Sequence, residues 1–356
     1  ISTDEKTISD LKNYIDEVSS LEIYKSIPLN SVPVEKETLE LETVAEIQSS
    51  DIWDDYKPAS TKHFVGRKRQ KDKLFGFLTE IRDNQTNKRV FYIDGKSGWG
   101  KSSLMIDLKE RCRNQYYRNK YLSIVIDSRS ANSHNFIPLA YELLIKRALD
   151  EEFIPKEYSK IKVPSSFDVL GDKLTDNLCA WLEENSQTLI IVFDQFEDVF
   201  RREGIFKSFY KFLIDVTNKK SNVVVGFSWK SELNIPIEHD AYPLWHQARD
   251  NAFQITLDEF NASESKLIIN QLKKDISEKF DIDFIRKVVE NSQGYPWLVK
   301  KFCIHIKKQL NLGMDVESLY EQDFQVKTLF DSDLEELNQN EVNALRHIAN
   351  RAYNDV

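Results

Sequence analysis

The sequence predicts an α/β fold: a five-stranded parallel sheet with helices on both faces, followed by a small all-α unit. Short apolar runs alternate with longer segments of helical period from Thr61 onward. The runs are too continuously apolar to leave one face in water, which predicts parallel strands covered on both sides. After Leu257 the strand-like runs stop and helical patterns continue to the end.

The expected strands cover 89–93, 121–126, 189–193, 222–227 and 253–257, each rich in Val, Ile, Phe or Tyr. Between them a helix is expected over 167–184, with Leu170, Leu174, Leu178 and Trp181 in one stripe. Another is expected over 205–216, with Phe206, Phe209, Leu213 and Val216. Both stripes read as core. In the all-α unit, Asn261 or Ser263 is placed to cap a helix carrying Leu267, Ile268, Leu272 and Ile276. Residues 337–353 begin a further helical element.

The first sixty residues differ from the rest. They hold 14 acidic and 5 basic side chains and so account for the whole formal charge of −9; the remainder balances at 44 against 44. Ile8, Leu11, Ile15 and Val18 predict an amphipathic helix, ended by Pro28 and Pro33. From there to Pro58 the segment contains no glycine and alternates briefly at Leu39 and Leu41, as an extended linker docked on the body or a solvated arm would. The chain therefore divides into 1–60, an acidic helix and linker; 61–258, the sheet domain; 259–335, the helical domain; and 336–356, the start of another element.

A balanced body argues against bulk nucleic-acid affinity, which needs a basic surplus on one face. The six basic residues in 62–73 open a helix and read as a solvated face. Cys112, Cys179 and Cys303 lie far apart, which excludes a disulfide framework and a zinc ribbon. No apolar run is long enough to span a bilayer and no signal-like stretch opens the chain, so a cytoplasmic location without a membrane partner is expected. The start at Ile1 and an end in mid-pattern suggest a piece of a longer protein.

Of 10 glycines, Gly95, Gly98 and Gly100 fall within six positions, directly after the first strand and before a helix. The string GKSGWGKSS fits GxxxxGK[ST], the phosphate-binding P-loop, whose N–H groups and helix N-terminus cradle phosphate oxygens. Lys101 then reaches the β- and γ-phosphates and Ser102 ligates Mg²⁺, with Trp99 and Ser103 in the same loop and turn. The fold class sharpens to a P-loop NTPase three-layer sandwich. Such a site needs a carboxylate ending another core strand, and LIIVFDQFED supplies Asp194 as the second metal residue. Gln195 stands where many ATPases carry a catalytic glutamate, so Glu197 and Asp198 become the candidates for positioning the attacking water. Lys230, in GFSWKSE, lies near a γ-phosphate if its strand sits between the two motif strands. A guanine-selecting NKxD is missing, because Asn218 and Lys219 precede a strand.

With these residues in hand the chain resembles the STAND ATPases, the signal-transducing P-loop class that includes NACHT and NB-ARC switches. HFVGR, with Phe64, Val65, Gly66 and Arg67, is similar to the segment lining the adenine pocket in that class. DQFED resembles the NACHT-like arrangement of an aspartate followed by acids three and four places on. Gly294-Tyr295-Pro296, with Trp297 and Leu298, resembles the GxP motif whose proline packs on the nucleotide. The match spans roughly 61–335, and 337–353 looks like the opening helix of the winged-helix domain that follows in the class, whose histidine contact is not identifiable here.

The resemblance implies an ATP- and Mg²⁺-dependent switch that hydrolyses slowly and couples ATP/ADP state to conformational change or self-association. Effector and sensor elements would lie outside this chain, and immune or antiviral defence is what the family implies. Tyr295 and Pro296 would cover the base while Lys101 and Asp194 hold the phosphates. Lys230, fixed on the sheet, would not distinguish ATP from ADP, so that contact is expected from outside the chain. The alternatives are a scaffold that binds ATP without turnover and an AAA-like, DNA-associated loader.

Overall fold

The computed structural model describes residues 44–231, 239, 241–276, 278–321, 329–330, 333–334 and 337–354. The predicted N-terminal helix and the alternation at Leu39 and Leu41 lie outside them. Residues Thr43–Val356 form one compact unit.

The strands are β1 (Val90–Gly95), β2 (Tyr121–Asp127), β3 (Thr188–Asp194), β4 (Val223–Lys230) and β5 (Phe253–Thr256), all parallel in the order β2-β3-β4-β1-β5. Four of the five run one to three residues past the predicted ends, most visibly β4, which runs on to Lys230, and β5 stops one residue short. Their pleat divides the core. Val90 and Tyr92 of β1, with Leu189, Ile191 and Phe193 of β3, join one apolar cluster; Phe91, Ile93, Ile190 and Val192 join the other.

The helices are α1 (Lys68–Arg82), α2 (Lys101–Cys112), α3 (Phe136–Asp150), α4 (Lys173–Glu184), α5 (Glu197–Phe200), α6 (Glu203–Lys219), α7 (Tyr242–Asn251), α8 (Ala262–Ile276), α9 (Ile282–Ser292), α10 (Pro296–Asn311), α11 (Val316–Glu321) and α12 (Gln339–Asn354). Those before β5 cover the two faces of the sheet, α1 and α2 on one and α3, α4, α6 and α7 on the other. Helices α8 to α11 enclose a third cluster built around Leu272, Phe284, Phe302 and Ile306.

Helix α4 begins at Lys173, not near 167. Asp172 accepts from Leu174 N at 2.9 Å and from Lys162 N at 2.7 Å, so it caps the helix and ties off the preceding loop. Leu170 is buried before the helix starts, so the predicted stripe joined a loop residue to a helix face. Helix α8 carries a reciprocal cap: Glu264 N donates to Asn261 Oδ1 at 3.0 Å and Asn261 N to Glu264 Oε2 at 3.2 Å. This decides for Asn261 over Ser263.

Residues 44–59 are docked on the body. Ile47 N donates to Val125 O at 3.0 Å and Asp127 N to Ala45 O at 2.8 Å, so this segment pairs antiparallel with the free edge of β2. Between those bonds Glu46 turns its buried carboxylate to Lys109 of α2, at 2.6 Å, and to Arg147 of α3. Burial opposes its ionisation, but these two cations hold the carboxyl below its usual range. One anion thereby joins helices from opposite faces of the sheet.

Candidate nucleotide-binding site

At the C-terminal ends of the strands lies a cleft of about 680 Å³. Its floor is the loop between β1 and α2, where Gly98 and Gly100 take φ of 76° and 90°. Left-handed residues in such a loop let successive N–H groups converge on one point, and α2 adds its positive end. Lys101 is buried at the first position of α2, and its Nζ donates to Gly95 O at 2.6 Å and Lys96 O at 2.9 Å. The ammonium is held across the mouth of the loop.

Strand order places the remaining polar groups. β4 lies between β1 and β3, and its register sets Lys230 opposite Gly95, which meets the condition under which Lys230 approaches the phosphate end. Asp194 ends β3 and is 1% exposed, with no hydrogen-bond partner for Oδ2 among the described residues. Gln195 follows it at φ 53°, and Asp194, Gln195, Lys230, Ser102 and Ser103 all line the cleft.

The two acids of DQFED separate. Glu197 is 3% exposed, and its Oε1 lacks a partner among the described residues. Burial pushes its carboxyl up, against the charges of Lys230 and Lys101 and with that of Asp194. Asp198 is half-buried and faces Arg201, 3.9 Å away. Neither Glu197 nor Asp198 lines the cleft; Asp194 does, and its buried, unpartnered oxygen is costly unless a ligand answers it. A hydrated magnesium ion between Ser102 and Asp194 fits that donor set.

The opposite wall comes from the helical part. Trp297 N, in the first turn of α10, donates to Gly98 O at 3.2 Å. Pro296, Trp297, Ile268 and Gln271 line the cleft with Phe64 and Val65. Gly294 takes φ 75°, and a Cβ there would lie 2.8 Å from Phe260 O, so only glycine makes this turn without strain. Tyr295 does not line the cleft; its ring packs toward Trp99 at 6.2 Å. Arg67 does not line it either. It is 2% exposed at φ 58°, its guanidinium lies 4.5 Å over Phe260, and Nη2 donates to Trp99 O at 3.0 Å, so it braces the loop from behind. Gly95 serves through its carbonyl, and Ser103 Oγ also accepts from Ala59 N at 3.0 Å.

Sequence reasoning missed the third wall, the docked segment itself. Ile52, Trp53, Tyr56 and Lys57 line the cleft. Trp53 Nε1 donates to Asp275 of α8 at 2.9 Å, and the Tyr56 ring lies 5.9 Å from Trp297. Lys301, on α10, donates to Asp55 and to Asp333, the latter at 2.7 Å. Aromatic residues within the acidic run DIWDDYKP were the available signal, since a solvated linker has little use for them.

Among the described residues no cluster of three or more His, Cys, Asp or Glu could hold a metal alone, and no helix is long and apolar enough to cross a membrane.

A phosphate loop on β1, a carboxylate ending β3, a strand inserted between them and a cleft closed by helices define a P-loop nucleotide-binding ATPase. The chain belongs to the novel STAND NTPase 1 family, whose model matches residues 54–311. Among curated proteins no relative matches it. Similar solved structures include the Walker-type ATPase PABY2304 of Pyrococcus abyssi, at 17% identity over 84% of this chain and 81% of that one, with a TM-score of 0.54. They also include two proteins of Aeropyrum pernix. ORC2, in ADPNP–ADP complexes, is 13% identical over 84% and 75% of the chains, with a TM-score of 0.48. ORC1, in complex with DNA, is 12% identical over 72% and 64%, also at 0.48. At 17% identity the likeness to the Pyrococcus ATPase is one of fold.

Proposed function

We propose that this chain is an adenine-nucleotide switch: it binds ATP with magnesium, hydrolyses it slowly, and couples the nucleotide to the closure of the helical part on the sheet. The observation that carries this reading is the cleft itself, with Lys101, Ser102 and Asp194 on the sheet side and Pro296 and Trp297 on the helical side. A ligand filling it touches both parts and favours the arrangement in which they meet. Magnesium held by Ser102 and Asp194 would draw charge from the β- and γ-phosphates. Glu197 is the group we assign to orient the attacking water. It is buried beside Asp194 and Lys230, whereas Asp198 turns toward Arg201. Slow turnover follows from Gln195, which cannot accept a proton where a glutamate could.

The class resemblance extends the proposal to self-association in a longer protein, with effector and sensor elements outside this chain, in a cytoplasmic signalling or antiviral role. The loader reading is less favoured. Of the six basic residues in 62–73, Arg67 is buried under Phe260, and Lys71 lies half-buried 5.2 Å over Phe64, which leaves a weak basic face. The test is to identify the nucleotide released on denaturing purified protein and to titrate ATP by calorimetry. Adenine nucleotide with millimolar or better affinity supports the assignment, and no heat with ATP or ADP sinks it.

A further inference from the structure

The cleft contains a cation that the functional reading leaves unused. Arg129 sits on the short 3-10 turn Ser128–Ser130 directly after β2, and both Arg129 and Asp127 line the cleft with Lys101, Asp194 and Lys230. Asp127 is the register partner of Asp194, one strand further from the phosphate loop. Arg129 holds Asp127 through a fork, with Nε at 2.9 and 3.1 Å from the two oxygens and Nη2 at 2.6 Å from Oδ2. The charges of Asp194 and Asp198 also bear on its guanidinium.

The turn itself is rigid. Ser128 and Ala131 are buried, Ser130 Oγ donates to Asp127 O at 2.7 Å, and Asp127 accepts from Arg129 N at 3.1 Å. The Arg129 side chain, by contrast, is 68% exposed. An exposed ion pair adds little to stability, so the fork is free to exchange a singly charged carboxylate for a more strongly charged phosphate at small cost. The planar guanidinium suits a terminal phosphoryl group, which offers several oxygens at once.

We infer that Arg129 is the γ-phosphate contact of this site, parked on Asp127 and transferred to ATP when the terminal phosphate is present. This rests on the reading of the cleft as a nucleotide site and deepens it. It also replaces the expectation that discrimination between ATP and ADP must come from outside the chain: a contact made to ATP and not to ADP supplies the differential affinity a switch requires. Asp127 N is bonded to Ala45 O, so a change at Arg129 bears on the docked segment 44–59.

The experiment measures the affinities of ADP and of a non-hydrolysable ATP analogue, with magnesium, for the whole chain and for Arg129→Ala, Arg129→Lys and Asp127→Asn, with thermal melts as a check on folding. Arg129→Ala should weaken the analogue roughly tenfold or more while ADP stays within about twofold. Arg129→Lys, which keeps the charge and loses the fork, should fall between. Asp127→Asn, which releases the arginine while an amide oxygen still caps the turn, should bind the analogue as well as or better than the unaltered chain. Single-turnover hydrolysis should slow with Arg129→Ala. Equal weakening of both nucleotides in Arg129→Ala and Asp127→Asn, or no change in either, overturns the inference and leaves the nucleotide site standing. Failure of the unaltered chain to bind either nucleotide removes both.

Discussion

The backbone N–H of Trp297 donates to the carbonyl of Gly98 at 3.2 Å. The hydrogen bond joins the first turn of a helix in one part of the molecule to the middle of the phosphate loop in the other. A Cβ on Gly98 would lie 3.1 Å from the Trp297 Cβ, so the two backbones meet as closely as a glycine allows.

Gly98→Ala therefore faces two penalties, a left-handed φ of 76° and the contact with Trp297. The conformational part costs about 1–2 kcal/mol. The variant should bind ATP at least roughly tenfold more weakly by calorimetry, and hydrogen exchange at the start of α10 should rise. Unchanged exchange there would separate the loop from the helix.

Lys101→Ala removes the ammonium from the mouth of the loop and leaves the carbonyls of Gly95 and Lys96 without their donor. A charge-assisted hydrogen bond to phosphate is worth about 1.5–3 kcal/mol, so ATP affinity should fall roughly 10- to 150-fold. Folding, followed by circular dichroism, should survive.

Glu197→Gln should slow single-turnover hydrolysis by roughly 10²-fold or more, and Asp198→Asn should have little effect. Because burial raises the Glu197 carboxyl, the rising limb of the rate–pH profile should lie above the 4.5 of an ordinary glutamate. The stability sign is the reverse of a salt-bridged acid. The unfolded chain loses this proton first, so Glu197 favours folding at low pH and that contribution is lost as pH rises through its raised value. The melting temperature of the unaltered chain should thus fall relative to Glu197→Gln as pH increases from about 4 to 7; a constant gap would contradict the burial.

Lys301 clamps the docked segment. With 6% of its side chain exposed it binds Asp55 and Asp333, while Tyr56 OH donates to Asp333 at 2.5 Å. Lys301→Ala leaves two carboxylates without their cation and should cost about 2–4 kcal/mol in urea unfolding. Asp333 resists burial through its bonds from Lys301 and Tyr56, and its carboxyl is held below 3.8. Its stabilisation is present above the unfolded value and lost as pH falls through the folded one, so hydrogen exchange over 53–57 should increase below about pH 4.

Scattering from the chain without nucleotide, with ADP and with an ATP analogue tests the clasp. Nucleotide should compact residues 43–356 by favouring the Gly98–Trp297 contact, and three identical curves would remove it.

Much of the site was legible because its parts are local. A phosphate loop declares itself through glycines wherever the backbone must turn left-handed, and Asp194 through a strand whose apolarity ends in a carboxylate. Four of the five strands were legible because side chains buried on both faces leave no polar alternation; the edge strand β5 alternates instead, with Gln254 and Thr256 exposed. Even Lys230 could be stated as a condition on strand order, which the position of β4 between β1 and β3 then met.

What the tertiary structure decided depends on which segments meet. Glu197 and Asp198 are adjacent in sequence, yet the turn after β3 buries one beside Lys230 and sends the other toward Arg201. Arg67 carries the adenine-pocket pattern in sequence but braces Trp99 from behind, because its left-handed backbone is fixed by Glu264, almost two hundred residues away. Arg129 and the segment around Trp53 and Tyr56 have no motif. They enter the cleft because β2 lies beside β3 and an acidic stretch with no pattern of its own pairs with the β2 edge. Local backbone demands and burial write themselves into residue types; the pairing of distant surfaces is a property of the folded chain, and only there do those residues acquire a role.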